Sequence, residues 1–296
     1  MVPRTRLLVP ALLVALLVAL AGCAADGASP GAAAPGVDRF DGARAFADLE
    51  MQVRMGPRPA GSPASKRLAE RLRRALPRGR FEAVPGGLRN VVGSLPGRGA
   101  PILVGAHYDT KDLPGFVGAN DGAGGVAVVL ELARALRSGQ RACQRPIRFV
   151  MFDGEESPRG SDDFLRDGLR GSKHHAATRG RGLRAVIVVD FVADKDLSIP
   201  REAGSHEGLW SRLRAAAAAV GAEAVFPDET GPGILDDHTP FLQRGIRAID
   251  LIDFDYPHFH RASDDLDAVS PRSLDLVGET LVEMLGRLRG ETCPPR

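Results

Sequence analysis

The sequence predicts a single α/β domain, a three-layer α/β/α sandwich around a mostly parallel, mixed central sheet. Three observations carry that prediction. Strand-length apolar runs recur at 102–106, 146–152, 185–189 and 248–252, short enough to be buried strands of an open sheet. Helical apolar spacing or alanine-rich sequence fills the stretches between and around them, the alternation expected of α/β architecture. Each run is followed closely by acids or histidines, and open α/β sheets place their chemistry at the carboxyl ends of strands.

Along the chain, residues 40–54 read as a helix with apolar positions at Phe40, Phe46, Leu49 and Val53. The Gly/Pro-rich segment 56–63 breaks it, and 65–76 reads as a second, arginine-rich amphipathic helix. Residues 90–95 read as a strand, turned by Pro96-Gly97 toward the run at 102–106. That run ends at His107, with Asp109 two positions on. A Gly/Pro-rich loop then delivers Asp121 just before a glycine-loosened helix start at 122–125. The run at 146–152 stops at Asp153-Gly154-Glu155-Glu156. Segment 157–181 reads as polar, basic and irregular, with His174 and His175 as surface or helix-cap residues.

The run at 185–189 ends at Asp190, after which Asp194 and Asp196 read as solvated turn residues. Residues 210–221 form an alanine-rich packing helix. A short helix opens within 234–242, with Asp236 or Asp237 as its simplest N-cap. After the last run comes Asp253-Phe254-Asp255-Tyr256-Pro257-His258-Phe259-His260. Residues i and i+2 of an extended chain point the same way, so either His258 or His260 could bind a metal. Ser270-Pro271 has the form of an N-cap and N1 proline for an amphipathic helix over 274–288. No internal repeat is present.

Composition sets wider bounds. The 296 residues are 44% hydrophobic and 26% charged, with a net charge of +2, ordinary for a globular chain with one sizeable core. The near-zero balance and the scattered arginines give no footing for a nucleic-acid partner. At the N-terminus, Arg4 and Arg6 precede an apolar run at 7–20, short for a membrane span. The run closes with Leu20-Ala21-Gly22-Cys23, which resembles the lipobox of bacterial lipoprotein signals. That resemblance implies a signal peptide over 1–22, lipid on Cys23, and an exported protein held at the cell envelope by a lipid anchor alone. Residues 23–38 are a Gly/Ala/Ser/Pro tether with nothing to bury, expected to be disordered, and 39–292 form the catalytic domain. In an exported setting Cys143 and Cys293 could form one bridge, though they lie far apart in sequence. Neither has the acid or histidine neighbours of a nucleophile.

Taken together, strand ends carry His107, Glu155-Glu156, Asp190 and the His258/His260 turn, with Asp121 at a crossover. Nitrogen and oxygen ligands without a thiolate fit one or two zinc ions, a carboxylate bridging where two are bound. Adjacent carboxylates need not point the same way, so one can hold a metal while its neighbour handles a proton. No single spacing is diagnostic; the signal is the same context repeated at successive strand ends.

At these residues the chain resembles the superfamily of co-catalytic zinc aminopeptidases and glutaminyl cyclases, over roughly residues 56–288. The resemblance rests on His107-Tyr108-Asp109, Gly118-Ala119-Asn120-Asp121, Asp153-Gly154-Glu155-Glu156, Asp190 and the His260 turn, in the family's order. It implies His107, Asp121, Glu156, Asp190 and His260 as metal ligands, Glu155 as general acid/base, and Asp109 as the residue orienting a ligand histidine. It selects His260 over His258 because the family's ligand follows an aromatic, here Phe259. His107-Tyr108-Asp109-Thr110-Lys111 and Asp236-Asp237-His238-Thr239-Pro240-Phe241-Leu242 are more similar to the cyclase branch. There Asp236 would share a catalytic hydrogen-bond network with Asp190. Three departures touch the substrate pocket: Phe259 replaces the Trp of animal cyclases, Val126 replaces a disulfide cysteine, and the turn before His260 is one residue shorter. The implied substrates are peptide or protein N-termini. The implied reaction is cyclisation of N-terminal glutamine with loss of ammonia, or else release of N-terminal residues; a non-catalytic binding lipoprotein is a third reading.

Overall fold

The computed structural model describes residues 38–294. The expected signal peptide, the Cys23 lipidation site and all but the last residue of the expected tether lie outside them. Among the described residues no helix is long and apolar enough to cross a membrane.

In chain order the strands are β1 (Arg80–Val84), β2 (Leu88–Leu95), β3 (Ile102–His107), β4 (Ile147–Phe152), β5 (Ala185–Asp190) and β6 (Ala248–Ile252). They form one six-stranded sheet in the order β1-β2-β4-β3-β5-β6. The four strands from β4 to β6 are parallel, while β1 and β2 extend the β4 edge antiparallel. The sheet is therefore mixed and mostly parallel, as the apolar runs predict. β3 is flanked by β4 on one side and β5 on the other, so the strand order reverses around it. Such a switch point opens a crevice at the carboxyl ends of the strands.

Strand periodicity divides the core in two. Ile102, Val104 and Ala106 of β3 face the larger core and Leu103 the smaller; β5 does the same with Ala185, Ile187 and Val189 against Val186 and Val188. The larger face is covered by α1 (Gly42–Val53), α2 (Pro63–Ala75) and α3 (Ala123–Ala135), together with the later helices α6 and α8 described below. On the smaller face, α4 (Phe164–Asp167) precedes α5 (Arg170–Arg179), whose Ala176 packs on the sheet. α6 (Glu207–Val220) returns to the larger face, α7 (Thr239–Leu242) adds Phe241 to the smaller one, and α8 (Pro271–Gly290) closes the larger. Each fully buried Leu, Val or Phe in these layers contributes about 1.5–3 kcal/mol.

α3 is apolar all round because its residues from Ala123 to Ala133 are all buried, as a helix held between a sheet and other helices must be. Its one acid there, Glu131, is paired with Arg44 and Arg134 at 2.7 and 2.9 Å. The glycines at its start have a steric cause. A Cβ on Gly125 would lie 2.0 Å from the Val189 carbonyl oxygen, so only glycine lets this turn rest against β5. Ser270 caps α8, its Oγ accepting from the Arg272 amide at 3.1 Å, with Pro271 in the first turn. Cys143 and Cys293 form a disulfide, tying the loop before β4 to the C-terminus.

Three expectations need correction. Segment 157–181 is not irregular: it holds α4 and α5, and His175 is 1% exposed. The His175 Nδ1 lies 2.6 Å from Glu82 of β1, so it is a packed partner of the edge strand rather than a surface group. Asp194 is 8% exposed, because its backbone bridges to Val269 beneath the start of α8.

Candidate metal centre

The four parallel strands end on one side of the sheet, and their terminal residues converge there. His107 closes β3, Asp190 closes β5, Glu155 and Glu156 follow β4, and His260 lies in the turn after β6. Asp121 arrives from the crossover before α3. His107 Nε2 is 3.3 Å from Asp121 Oδ1 and 3.4 Å from Asp190 Oδ1. His260 Nε2 is 3.5 Å from Asp121 Oδ2 and 3.2 Å from Glu156 Oε1. Two three-residue clusters result, His107/Asp121/Asp190 and Asp121/Glu156/His260. Asp121 turns one oxygen to each.

The donor atoms are left in a condition that suits a cation. His107 Nε2, Asp121 Oδ2 and Glu156 Oε1 are buried and have no hydrogen-bond partner, a state costing on the order of 1–3 kcal/mol per group unless something neutralises it. Burial, then Glu156, pushes the Asp121 carboxyl up to about 7. Burial opposes charge on His107 as well, yet Asp190 and the neighbouring acids drive that imidazole well above its ordinary value. The residues present, all nitrogen or oxygen donors, fit one divalent ion of the zinc type or two sharing Asp121.

The backbone around these ligands is held in place from several directions. His107 Nδ1 lies 3.1 Å from the Asp109 carbonyl oxygen, which fixes the ring with Nε2 toward the carboxylates. The Asp109 carboxylate itself accepts from the amides of Gly154, Glu155 and Glu156 at 2.9, 3.2 and 3.3 Å. Its side chain thus secures the loop carrying the two glutamates, while its carbonyl sets the histidine. Lys111 Nζ donates to Glu156 Oε2 at 2.9 Å. Burial opposes ionisation of Glu156, but His260 and then Lys111 bring its proton affinity below the usual range. His260 itself has φ +51°, and Phe191, directly after Asp190, has φ +45°. Left-handed backbone at a histidine and a phenylalanine is strained and collects at functional sites.

A cavity of about 470 Å³ opens onto these residues, with Glu155, Asp190 and Asp236 among its lining. Glu155 is 7% exposed and belongs to neither cluster. Burial, then Glu156, pushes its carboxyl well above the usual range. Asp236 is 2% exposed, and burial followed by Asp190 pushes it up to about 6. It does not cap α7 with its side chain; its amide donates to Thr239 Oγ1 at 3.2 Å. Asp237 is wholly buried and offers no cap either. Behind them Asp236, His238 and Asp250 form a further buried cluster, with His238 Nε2 3.2 Å from Glu202 and Nδ1 3.3 Å from Asp250. His258 stands apart from the centre, with Nδ1 2.9 Å from Ser263 Oγ.

Two supporting residues escaped the sequence reading. Asp264 accepts from the amides of Asn120 and Asp121 at 2.8 and 3.1 Å and from the Tyr256 hydroxyl at 2.7 Å. It thereby joins the Asp121 loop to the His260 turn. Arg58, fully buried, donates to the carbonyls of Gln52, Gly56, Val117 and Gly118, bracing the same loop from below. The only sequence signals were an acid run before α8 and one arginine in a Gly/Pro breaker.

Known proteins resemble this chain in sequence and fold. The bovine (Bos taurus) glutaminyl-peptide cyclotransferase-like protein is 30% identical over 211 residues, 60% of this chain and 55% of its own length; the chain thus spans about half of that relative. A crystal structure of Acidobacteriales bacterium glutaminyl cyclase superposes with TM-score 0.74 at 29% identity, covering 88% of this chain and 99% of that one. A Zn-dependent exopeptidase from Parabacteroides distasonis superposes with TM-score 0.73 at 25% identity, covering 83% and 98%. The sequence profile of peptidase family M28 matches residues 90–285, a span running from β2 into α8 and enclosing every residue of the two clusters, and the chain belongs to that family.

Proposed function

We propose that the protein is a zinc-dependent glutaminyl-peptide cyclotransferase, closing N-terminal glutamine to pyroglutamate with release of ammonia. The observation that carries the reading is the division between two neighbouring glutamates. Glu156 turns into a cluster with Asp121 and His260, while Glu155 lines the cavity beside it and joins neither cluster. Similarity to glutaminyl cyclases across most of the chain supports the choice of reaction.

Asp121, Glu156 and His260 would hold one ion, and His107 with Asp190 complete a place for another beside it. When bound, zinc supplies Lewis-acid polarisation of the scissile carbonyl. The chain's own groups supply the proton traffic. Glu155 accepts a proton from the substrate's α-amine as that nitrogen bonds to the side-chain amide carbon, and returns a proton to the amide nitrogen as it leaves as ammonia. Burial and Glu156 raise its proton affinity, the direction that favours taking a proton from the amine. Asp190 and Asp236, close enough to interact electrostatically, line the same cavity.

One observation favours a second reading, an aminopeptidase. Two clusters sharing Asp121 leave a place for a second ion, and Glu155 would then take its proton from the attacking water. Purified zinc-loaded protein given a peptide with N-terminal glutamine and one with N-terminal leucine separates the two. Ammonia from the first with the chain intact is the expected result. Free leucine from the second replaces cyclase by aminopeptidase, and neither product overturns both.

A further inference from the structure

The described residues carry five exposed large apolar side chains: Leu113, Leu165, Leu235, Phe254 and Phe259. Single exposed apolar residues are ordinary, but clustering at one concave site marks a binding surface. Leu235, Phe254 and Phe259 line the mouth of the metal-centre cavity, Leu165 follows the lining residue Phe164, and Leu113 lies two residues past the lining residue Lys111. All five thus fall in the lining or within two residues of it.

The rim is ordered from the centre outward. Phe259 stacks on His260 with ring centroids 3.9 Å apart, and Phe254 packs on Phe259 at 5.1 Å. Phe191 backs both, 5.8 Å from Phe259 and 6.3 Å from Phe254. The outermost positions sit on anchored backbone. Asp253, just before Phe254, accepts from the Ser198 amide at 2.8 Å. Ile234, just before Leu235, donates its amide to Glu202 at 3.2 Å. Phe254 and Leu235 are 42% and 48% exposed on turns that are themselves fixed, a preformed apolar surface.

We infer that Leu235 and Phe254 form a subsite selecting peptides whose second residue is large and apolar. The inference rests on the reading that the cavity takes a peptide N-terminus. A substrate whose first residue reaches Glu155 must leave through the mouth, so its second side chain meets Leu235, Phe254 and Phe259. An aromatic or branched aliphatic side chain there removes apolar surface of both partners from water. An acidic one gains nothing from the rings and faces exposed Asp162 in the same lining.

The test uses zinc-loaded mature protein and four peptides identical except for Phe, Leu, Ala or Glu after an N-terminal glutamine, with a parallel set carrying N-terminal leucine. The expected kcat/KM for Phe exceeds that for Glu by about tenfold or more, the scale on which an apolar pocket discriminates. Phe254→Ser combined with Leu235→Asn should reduce that ratio to about twofold or less, and Phe254→Leu should keep it. A ratio is used because a general loss of activity leaves it unmoved. Wild-type protein that turns over all four peptides of a set equally, or a double variant that keeps the full preference, overturns the subsite. If neither set is turned over, the functional reading fails. Calorimetric Kd values for the same peptides then decide the subsite alone, equal affinities for Phe and Glu overturning it and a tenfold preference lost in the double variant sustaining it.

Discussion

Replacing Glu155 by glutamine is the sharpest test of the centre, because the two neighbouring glutamates should fail in different ways. Glutamine keeps the size and shape of the Glu155 side chain but cannot exchange a proton. Positioned general acids and bases are worth factors of about 100 to 10,000 in rate, or roughly 3–5 kcal/mol of barrier, and Glu155→Gln should lose activity on that scale. Because Glu155 belongs to neither cluster, its zinc content should stay at the wild-type level. Its thermal stability should hold or rise, since burial and Glu156 already disfavour charge at this position. Glu156→Gln should behave otherwise. That residue lies 3.2 Å from His260 and 2.9 Å from Lys111, so its loss removes a cluster member and leaves Lys111 without its carboxylate. Zinc content and activity should fall together. The assay pairs metal analysis of each dialysed variant with kcat at saturating substrate. If Glu155→Gln sheds zinc as readily as Glu156→Gln, or keeps most of its activity with the metal in place, the division of labour is wrong.

Two further outcomes concern stability. The Cys143–Cys293 disulfide spans 150 residues, and closing a loop of that length stabilises by about 2–5 kcal/mol; a Cys143→Ser/Cys293→Ser variant should unfold at correspondingly lower denaturant, and an unchanged midpoint would refute the contribution. Burial, opposed by the Ser198 amide and reinforced by Asp194, pushes the Asp253 carboxyl up to about 6. An acid whose folded value exceeds its unfolded one contributes stability below about pH 4 and loses it as pH rises through about 6. Asp253→Asn keeps an acceptor for the Ser198 amide and should remove that decline, read by urea unfolding at pH 4 and pH 7; an identical slope in the variant would refute the assignment.

The fold was legible where one physical rule governed a whole segment. Strands β3 to β6 are buried on both faces almost throughout, so their sequences are apolar runs interrupted only by Arg148 in β4 and Asp250 in β6 before the residues that end them. β1, Arg-Phe-Glu-Ala-Val, is an edge strand with only Val84 fully buried, and its mixed composition carried no such signal. α5 was missed for a related reason. The residues it buries are Gly171, Ser172, His175 and Ala176, a face made of small and polar groups on which hydrophobic periodicity cannot register. His175 is hidden because Glu82 supplies its partner from a strand 93 positions away, and no local pattern encodes that meeting.

The centre divides along the same line. Its candidate ligands converge because the carboxyl ends of parallel strands must lie side by side, so residues ending separate runs become neighbours by topology. What holds them could not be placed so easily. Asp264 reaches the amide of Asn120 across 144 positions and Arg58 the Gly118 carbonyl across 60; each contact depends on how two loops settle. Asp109 belongs between the two cases. The family resemblance implied a residue that orients the histidine, and the Asp109 carbonyl oxygen lies 3.1 Å from that ring. The carboxylate reaches instead across the β3–β4 boundary to three successive amides of the glutamate loop. Charge-assisted bonds to consecutive amides fix the backbone of that loop. A fixed backbone can direct Glu156 toward His260 and Lys111 while Glu155 lines the cavity. On the proposed roles, the separation of metal binding from proton transfer on adjacent residues would rest on this backbone, which the Asp109 carboxylate holds.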